Sequence, residues 1–96
     1  MIVNERETEE GLLVAVCDSD VLGETFETGD ISLTVTEEFY GGDEVDEDAV
    51  VDSLARATVA NIVGTAAVEI AIKHGFVDEQ NVLHVGATRH AQLLRL

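Results

Sequence analysis

One stretch sets the terms for any fold of this chain: residues 46–75, DEDAVVDSLARATVANIVGTAAVEIAIKHG, the only long segment with helical periodicity. Asp46 stands where an N-cap is needed, and Glu47 and Asp48 suit the positive end of a helix dipole. Val50, Val51, Leu54, Ala55, Thr58 and Ile62 make one broad apolar face, which predicts a helix over about 46–63. Asp52 and Arg56 sit four residues apart on its other side. Gly64-Thr65 interrupts the pattern, and Thr65 can cap a second helix over about 65–74, with Glu69 and Lys73 spaced to pair. Gly75 is a natural stop, with Phe76 packing back as in a Schellman ending. By helical phase Asn61 falls on the apolar side. A buried amide left unsatisfied costs ~1–3 kcal/mol, so Asn61 is expected to bond a loop backbone, such as residues 39–42, or to meet a ligand.

Around this stretch the chain reads as short strands and turns. Residues 1–10 turn polar and acidic after Ile2 and Val3, which suggests a frayed start or a short edge strand. Residues 12–17, LLVAVC, are apolar on both faces, as in an interior strand. Asp18-Ser19-Asp20 then makes a turn, with a short helical turn running to Gly23. Residues 31–36 alternate cleanly and predict a half-buried antiparallel strand. Residues 37–42, EEFYGG, read as a loop. Residues 82–85 and 90–96 read as two closing strands around a turn at Gly86-Ala87-Thr88. The expected architecture is α+β, a single domain over residues 1–96. It is a small two-layer arrangement: a mainly antiparallel sheet of four to five short strands, with two consecutive helices on one face.

Charge narrows the setting. The chain carries 20 acidic residues against 5 lysines and arginines, a net charge of −15. Such a charge on a small domain opposes compaction in dilute buffer. At molar salt the Debye length falls to ~3 Å and most of that repulsion is screened. A halophilic protein adapted to a salt-saturated cytoplasm is therefore expected. The charge is also uneven: residues 1–48 hold 16 acids and one base, whereas residues 49–96 hold four of each. Either the second half is mostly core, or part of its surface faces a polyanion or another subunit. No apolar run approaches the ~20 residues that span a bilayer, and residues 1–11 lack the basic and apolar regions of a signal peptide. A cytoplasmic location without membrane association follows.

The groups that carry chemistry are few. Cys17 is the only cysteine, so no internal disulfide and no multi-cysteine zinc site can form. His74, His84 and His90 lack HxxxH or HxH spacing, and no metal or other cofactor is expected. The neighbours Asp18 and Asp20 raise the pKa of the Cys17 thiol and favour a structural thiol over a nucleophile. Phe39 and Tyr40 either plug the core beneath the first helix or, with Gly41 and Gly42, form a loop whose backbone a ligand can approach. Arg89, His90 and Gln92 gather a cation, an imidazole and an amide at one sheet end, types that hydrogen-bond phosphates or bases.

Four blocks bring a family into view: CDSDVLG at 17–23, EFYGG at 38–42, ANIVG at 60–64 and GATRHAQ at 86–92. In order and spacing they resemble an archaeal family labelled domain of unknown function 424, from about Gly11 to the end of the chain. That family has a proline before the histidine of the last block. Arg89 stands there in this chain, which has no proline at all. The resemblance implies a small archaeal cytoplasmic protein and brings no catalytic residues with it. The functional expectation is a non-enzymatic interaction module associated with translation or RNA. Its contact residues are Phe39, Tyr40, Gly41, Gly42, Arg56, Asn61, Arg89, His90 and Gln92. The alternatives are a small-ligand enzyme using Cys17, Asp18, Asp20 and a histidine, and a subunit of a homo-oligomer.

Overall fold

The computed structural model describes residues 1–95. Strands β1 (Ile2–Thr8) and β2 (Gly11–Cys17) form a hairpin, and a 3-10 turn at Ser19–Val21 leads to a second hairpin, β3 (Thr25–Thr28) and β4 (Ile31–Thr34). Then follow α1 (Glu37–Tyr40), β5 (Asp43–Glu44), α2 (Glu47–Arg56), β6 (Val59–Val63), α3 (Thr65–Lys73), β7 (Leu83–Val85) and β8 (Thr88–Leu94). The main sheet has six strands in the order β5-β1-β2-β6-β8-β7, rather than four to five, and β3–β4 stands apart as its own pair. Every pairing is antiparallel except β2 with β6. The class is mixed α+β, as expected. No helix is long and apolar enough to cross a membrane, among the described residues.

The helix predicted over 46–63 is not one helix. It ends at Arg56, and Val59–Val63 becomes the central strand β6. The periodicity continued by coincidence, because a five-residue run with β-branched residues at both ends serves a strand equally well. What stops α2 lies far along the chain. The Arg95 Nη1 donates to the carbonyl oxygens of Leu54, Ala55 and Ala57 at 2.9, 3.2 and 2.9 Å, joining Ala57 N on Leu54 O and supplying a donor to the Ala55 and Ala57 acceptors at the helix end. Ala57 then turns extended, at φ −68° and ψ 140°.

The start of α3 is also held from a distance. Gly64 occupies the cap position and offers no side chain. Asp18 supplies the carboxylate: Oδ2 accepts from Ala66 N at 3.0 Å and Oδ1 from Ala67 N at 2.8 Å. Gly64 has φ +118°, and a Cβ there would lie 2.6 Å from Asp18 Oδ2. The other end closes as a Schellman motif, with Phe76 N on Ala71 O at 2.8 Å and Gly75 N on Ile72 O at 3.0 Å. Glu69 and Lys73 do not pair with each other; Glu69 meets Arg89 and Lys73 meets Glu47.

Two cores lie on opposite faces of the sheet. Helices α2 and α3 cover one face, where Val14, Val16, Ala60 and Ile62 meet Val50, Leu54, Ala67, Val68 and Ala71. On the other face Ile2, Ala15, Cys17 and Val63 pack with Val35 and Tyr40, joined by Phe26, Leu33 and Phe39. This second core covers only one end of its face. Residues 1–10, expected to fray or to form an edge, instead form the full-length strand β1 between β2 and β5. Its outer neighbour β5 is only two residues long.

Candidate functional site

The strand registers sort the helix-free face into rows. One row runs Arg6, Leu13, Val59, Leu94; the next runs Asn4, Ala15, Asn61, Gln92; the third runs Ile2, Cys17, Val63, His90, Leu83. Most of the third row lies in the core formed with Tyr40 and Val35. On β2, β6 and β8 the first two rows leave Leu13, Val59 and Asn61 half-buried and Gln92 and Leu94 exposed. The result is an open patch of apolar and amide side chains. None of these five residues carries a charge, in a chain with 20 acids. A cavity of about 280 Å³ adjoins it, floored by Leu12, Leu13 and Val59 and rimmed by Thr8, Glu10 and Thr58.

Asn61 sits at the centre of the patch, on a strand and not on a helix. Its Oδ1 accepts from Gln92 Nε2 at 2.9 Å, directly across the β6–β8 ladder. The pair leaves further amide donors and acceptors facing outward. His90 lies one row away, between Val63 and Leu83. Burial pushes its pKa below the ordinary 6.5, which favours the neutral imidazole.

The structure brings Asn61, His90 and Gln92 onto one face but not the arginines expected beside them. Arg89 turns to the helix face, where it pairs with Glu69 at 2.8 Å and reaches Thr65 O at 3.3 Å. Arg56 pairs with Glu5 at 2.5 Å and with Asp52 at 3.1 Å. The Arg56 guanidinium, with help from the Ser53 hydroxyl, holds the Glu5 carboxyl below its usual range. Each cationic side chain among the described residues has a partner: Lys73 meets Glu47, Arg95 holds the end of α2, and Arg6 lies over the Phe39 ring and on the carbonyl of Glu38.

The aromatic segment is a short helix, α1, rather than a loop. Phe39 and Tyr40 meet edge to face with centroids 4.9 Å apart. They belong to the second core, on the face away from α2 and α3, and not beneath the first helix. Tyr40 is buried, and burial pushes its hydroxyl pKa up to about 12. Asn4 Nδ2, not Asn61, ties this segment, donating to Gly41 O at 2.5 Å. Gly42 is needed because a Cβ there would run into the Val3 carbonyl, where the chain joins β1 as β5.

Cys17 is fully buried, and desolvation, then the Asp18 charge, pushes its thiol pKa to about 11. Asp18 is engaged by α3. Neither is placed to attack a substrate. His74 meets Glu47 at 2.9 Å, and no group of three or more His, Cys, Asp or Glu residues is poised to hold a metal, among the described residues. The residues that sequence reasoning passed over are Leu13, Val59, Leu83 and Leu94, because aliphatic residues in an expected strand or, for Val59, in the expected helix read as core. The alternation of Leu94 and Gln92 with buried Ala91 was the available signal.

No curated protein matches the chain. Among solved structures, the crystal structure of an uncharacterized conserved protein from Methanopyrus kandleri is similar, with a TM-score of 0.80 at 23% identity. The match covers 99% of this chain and 93% of that one, and it establishes likeness of fold. The model of a family described as protein of unknown function (DUF424) matches residues 5–96, and the chain belongs to that family.

Proposed function

We propose that this chain is a non-enzymatic interaction module of a salt-rich cytoplasm, and that it docks a protein through the open face centred on Asn61 and Gln92. The observation that carries the reading is the uncharged apolar-and-amide patch on a chain whose net charge is −15. In molar salt, charge contributes little to association, so contact falls to apolar area, shape and hydrogen bonds. The patch offers those three.

RNA and translation-related complexes were the partners that the family resemblance suggested. The engagement of every described cation favours a protein component of such a complex over the RNA itself. Phosphate binding draws on lysine and arginine that can turn to the backbone, and here Arg56 and Arg89 are held by Glu5 and Glu69. The buried Cys17 and the engaged Asp18 weigh against the enzymatic alternative.

The test is co-purification in native-like KCl, followed by identification of what is bound, with wild type beside Val59→Glu and a helix-face control, Asp52→Ala. The expected result is one discrete protein retained by wild type and by Asp52→Ala and lost with Val59→Glu. Recovery of RNA alone, or equal recovery with all three proteins, overturns the reading.

A further inference from the structure

The six-stranded sheet ends in two different ways. One edge is β5, with two residues, Asp43 and Glu44, both acidic. A short charged edge resists the addition of another strand. The other edge is β7, which pairs with β8 only from Thr88 to His90. Beyond His90, β8 continues to Leu94 with no neighbour on that side among the described residues.

The hydrogen bonds fix which groups are left open. Gly64 N donates to Arg89 O at 2.9 Å, and Arg95 N donates to Thr58 O at 2.8 Å. Odd-numbered residues of β8 therefore turn their backbone groups toward β6. Alternation turns those of Gln92 and Leu94 outward, where they find no backbone partner among the described residues. Leu83 at 43% and Leu94 at 63% exposure flank this edge, two of the three exposed large hydrophobic residues described. A concavity of about 520 Å³ runs along it, lined by Asn81, Leu83, His90, Ala91, Gln92 and Leu94. No proline, lysine or acidic residue guards it.

We propose that this edge pairs with the same edge of a second copy, β8 against β8, antiparallel about a two-fold axis. Charge selects the occupant. Two chains of net charge −15 repel, yet residues 80–95 contain no acid at all. Antiparallel pairing of β8 joins the sheets where they are neutral and puts the acidic β5 edges at the two far ends. The edge is also self-complementary. With Gln92 opposite Leu94 of the second copy, each outward N–H meets an outward carbonyl in both directions. Leu94 and Leu83 lose their exposure in the same step. The two open faces become continuous across the dimer, but the pairing stands independently of the function proposed above.

The experiment is light scattering and sedimentation equilibrium of the full chain in molar KCl. Wild type is expected at twice the 10.3 kDa chain mass. Gln92→Pro removes one outward N–H without touching the β6 ladder, a position where proline is tolerated. It is expected to raise the dissociation constant by at least about tenfold while circular dichroism stays unchanged. Gln92→Ala loses the bond to Asn61 but keeps the N–H, and is expected to remain dimeric. Leu94→Lys places a guarding charge on an exposed side chain and is expected to give monomer. It carries the decision if Gln92→Pro fails to fold. A wild type that stays monomeric over the accessible concentration range overturns the proposal, as does a dimer that survives Leu94→Lys. Leu13→Glu, on the same open face but two strands in from this edge, is expected to abolish docking and to leave the dimer intact, so failure of the docking reading and failure of the dimer are read separately.

Discussion

Asp18 Oδ1 accepts a hydrogen bond from Ala67 N at 2.8 Å, so the end of β2 holds the start of α3. Asp18→Ala removes the acceptor for two N–H groups and is expected to lower stability by about 1–2 kcal/mol, read by urea denaturation in molar KCl. Gly64→Ala is expected to cost more, because it forces a side chain into a positive-φ position and into the Asp18 carboxylate.

Cys17 offers a second check. A thiol that is fully buried and pushed to about pKa 11 holds almost no thiolate at neutral pH. A thiol-reactive chromophore is expected to label it only at the rate of unfolding. Rapid labelling of the native protein would show that the second core opens locally.

The pH response of stability follows from His90. Burial holds its folded pKa below 6.5, so the unfolded chain takes up a proton first. Its contribution is complete above about 6.5 and is lost as pH falls from there toward the lower folded value. Denaturation midpoints in molar KCl are expected to fall between about pH 7.5 and about pH 5.5, and His90→Gln is expected to flatten that slope.

Thr88 gives the opposite sign from most core substitutions. It is 4% exposed, and its hydroxyl has no partner among the described residues. Thr88→Val removes an unpaired polar atom at similar volume and is expected to stabilise by up to about 1 kcal/mol. A loss of stability on thermal denaturation would reveal a bond to that hydroxyl.

Salt tests the charge argument directly. Lowering KCl from molar to about 0.1 M lengthens the Debye length to ~10 Å and restores repulsion among the acids. The melting midpoint is expected to fall continuously over that range. A midpoint independent of KCl would overturn the reading of the acidic composition as an adaptation to salt.

The sequence read best where structure is set locally. The interior strand β2, the capped start of α2 at Asp46, and the ending at Gly75 and Phe76 all depend on near neighbours. It read worst where distant residues decide. Val59–Val63 continued a helical face, and the helix stop that Arg95 supplies, together with pairing to β2 and β8, makes it a strand. Residues 1–10 read as a frayed start or a short edge strand, but Glu5 is matched by Arg56 and Ser53 from α2, and the segment forms a full-length strand between two neighbours. At the candidate site, Asn61, His90 and Gln92 stood out by residue type. Leu13, Val59 and Leu94 did not, because exposure on a strand depends on which neighbours cover it.

The single parallel ladder, β2 with β6, has a kinetic consequence. Between its two strands lie a hairpin, α1, β5 and α2, so closing it means joining ends across a long loop. A chain emerging from the ribosome can form β1–β2 early, yet β2 must wait for β6 with its apolar side unprotected. Folding should be limited by that closure, and slower than the helical content alone would suggest.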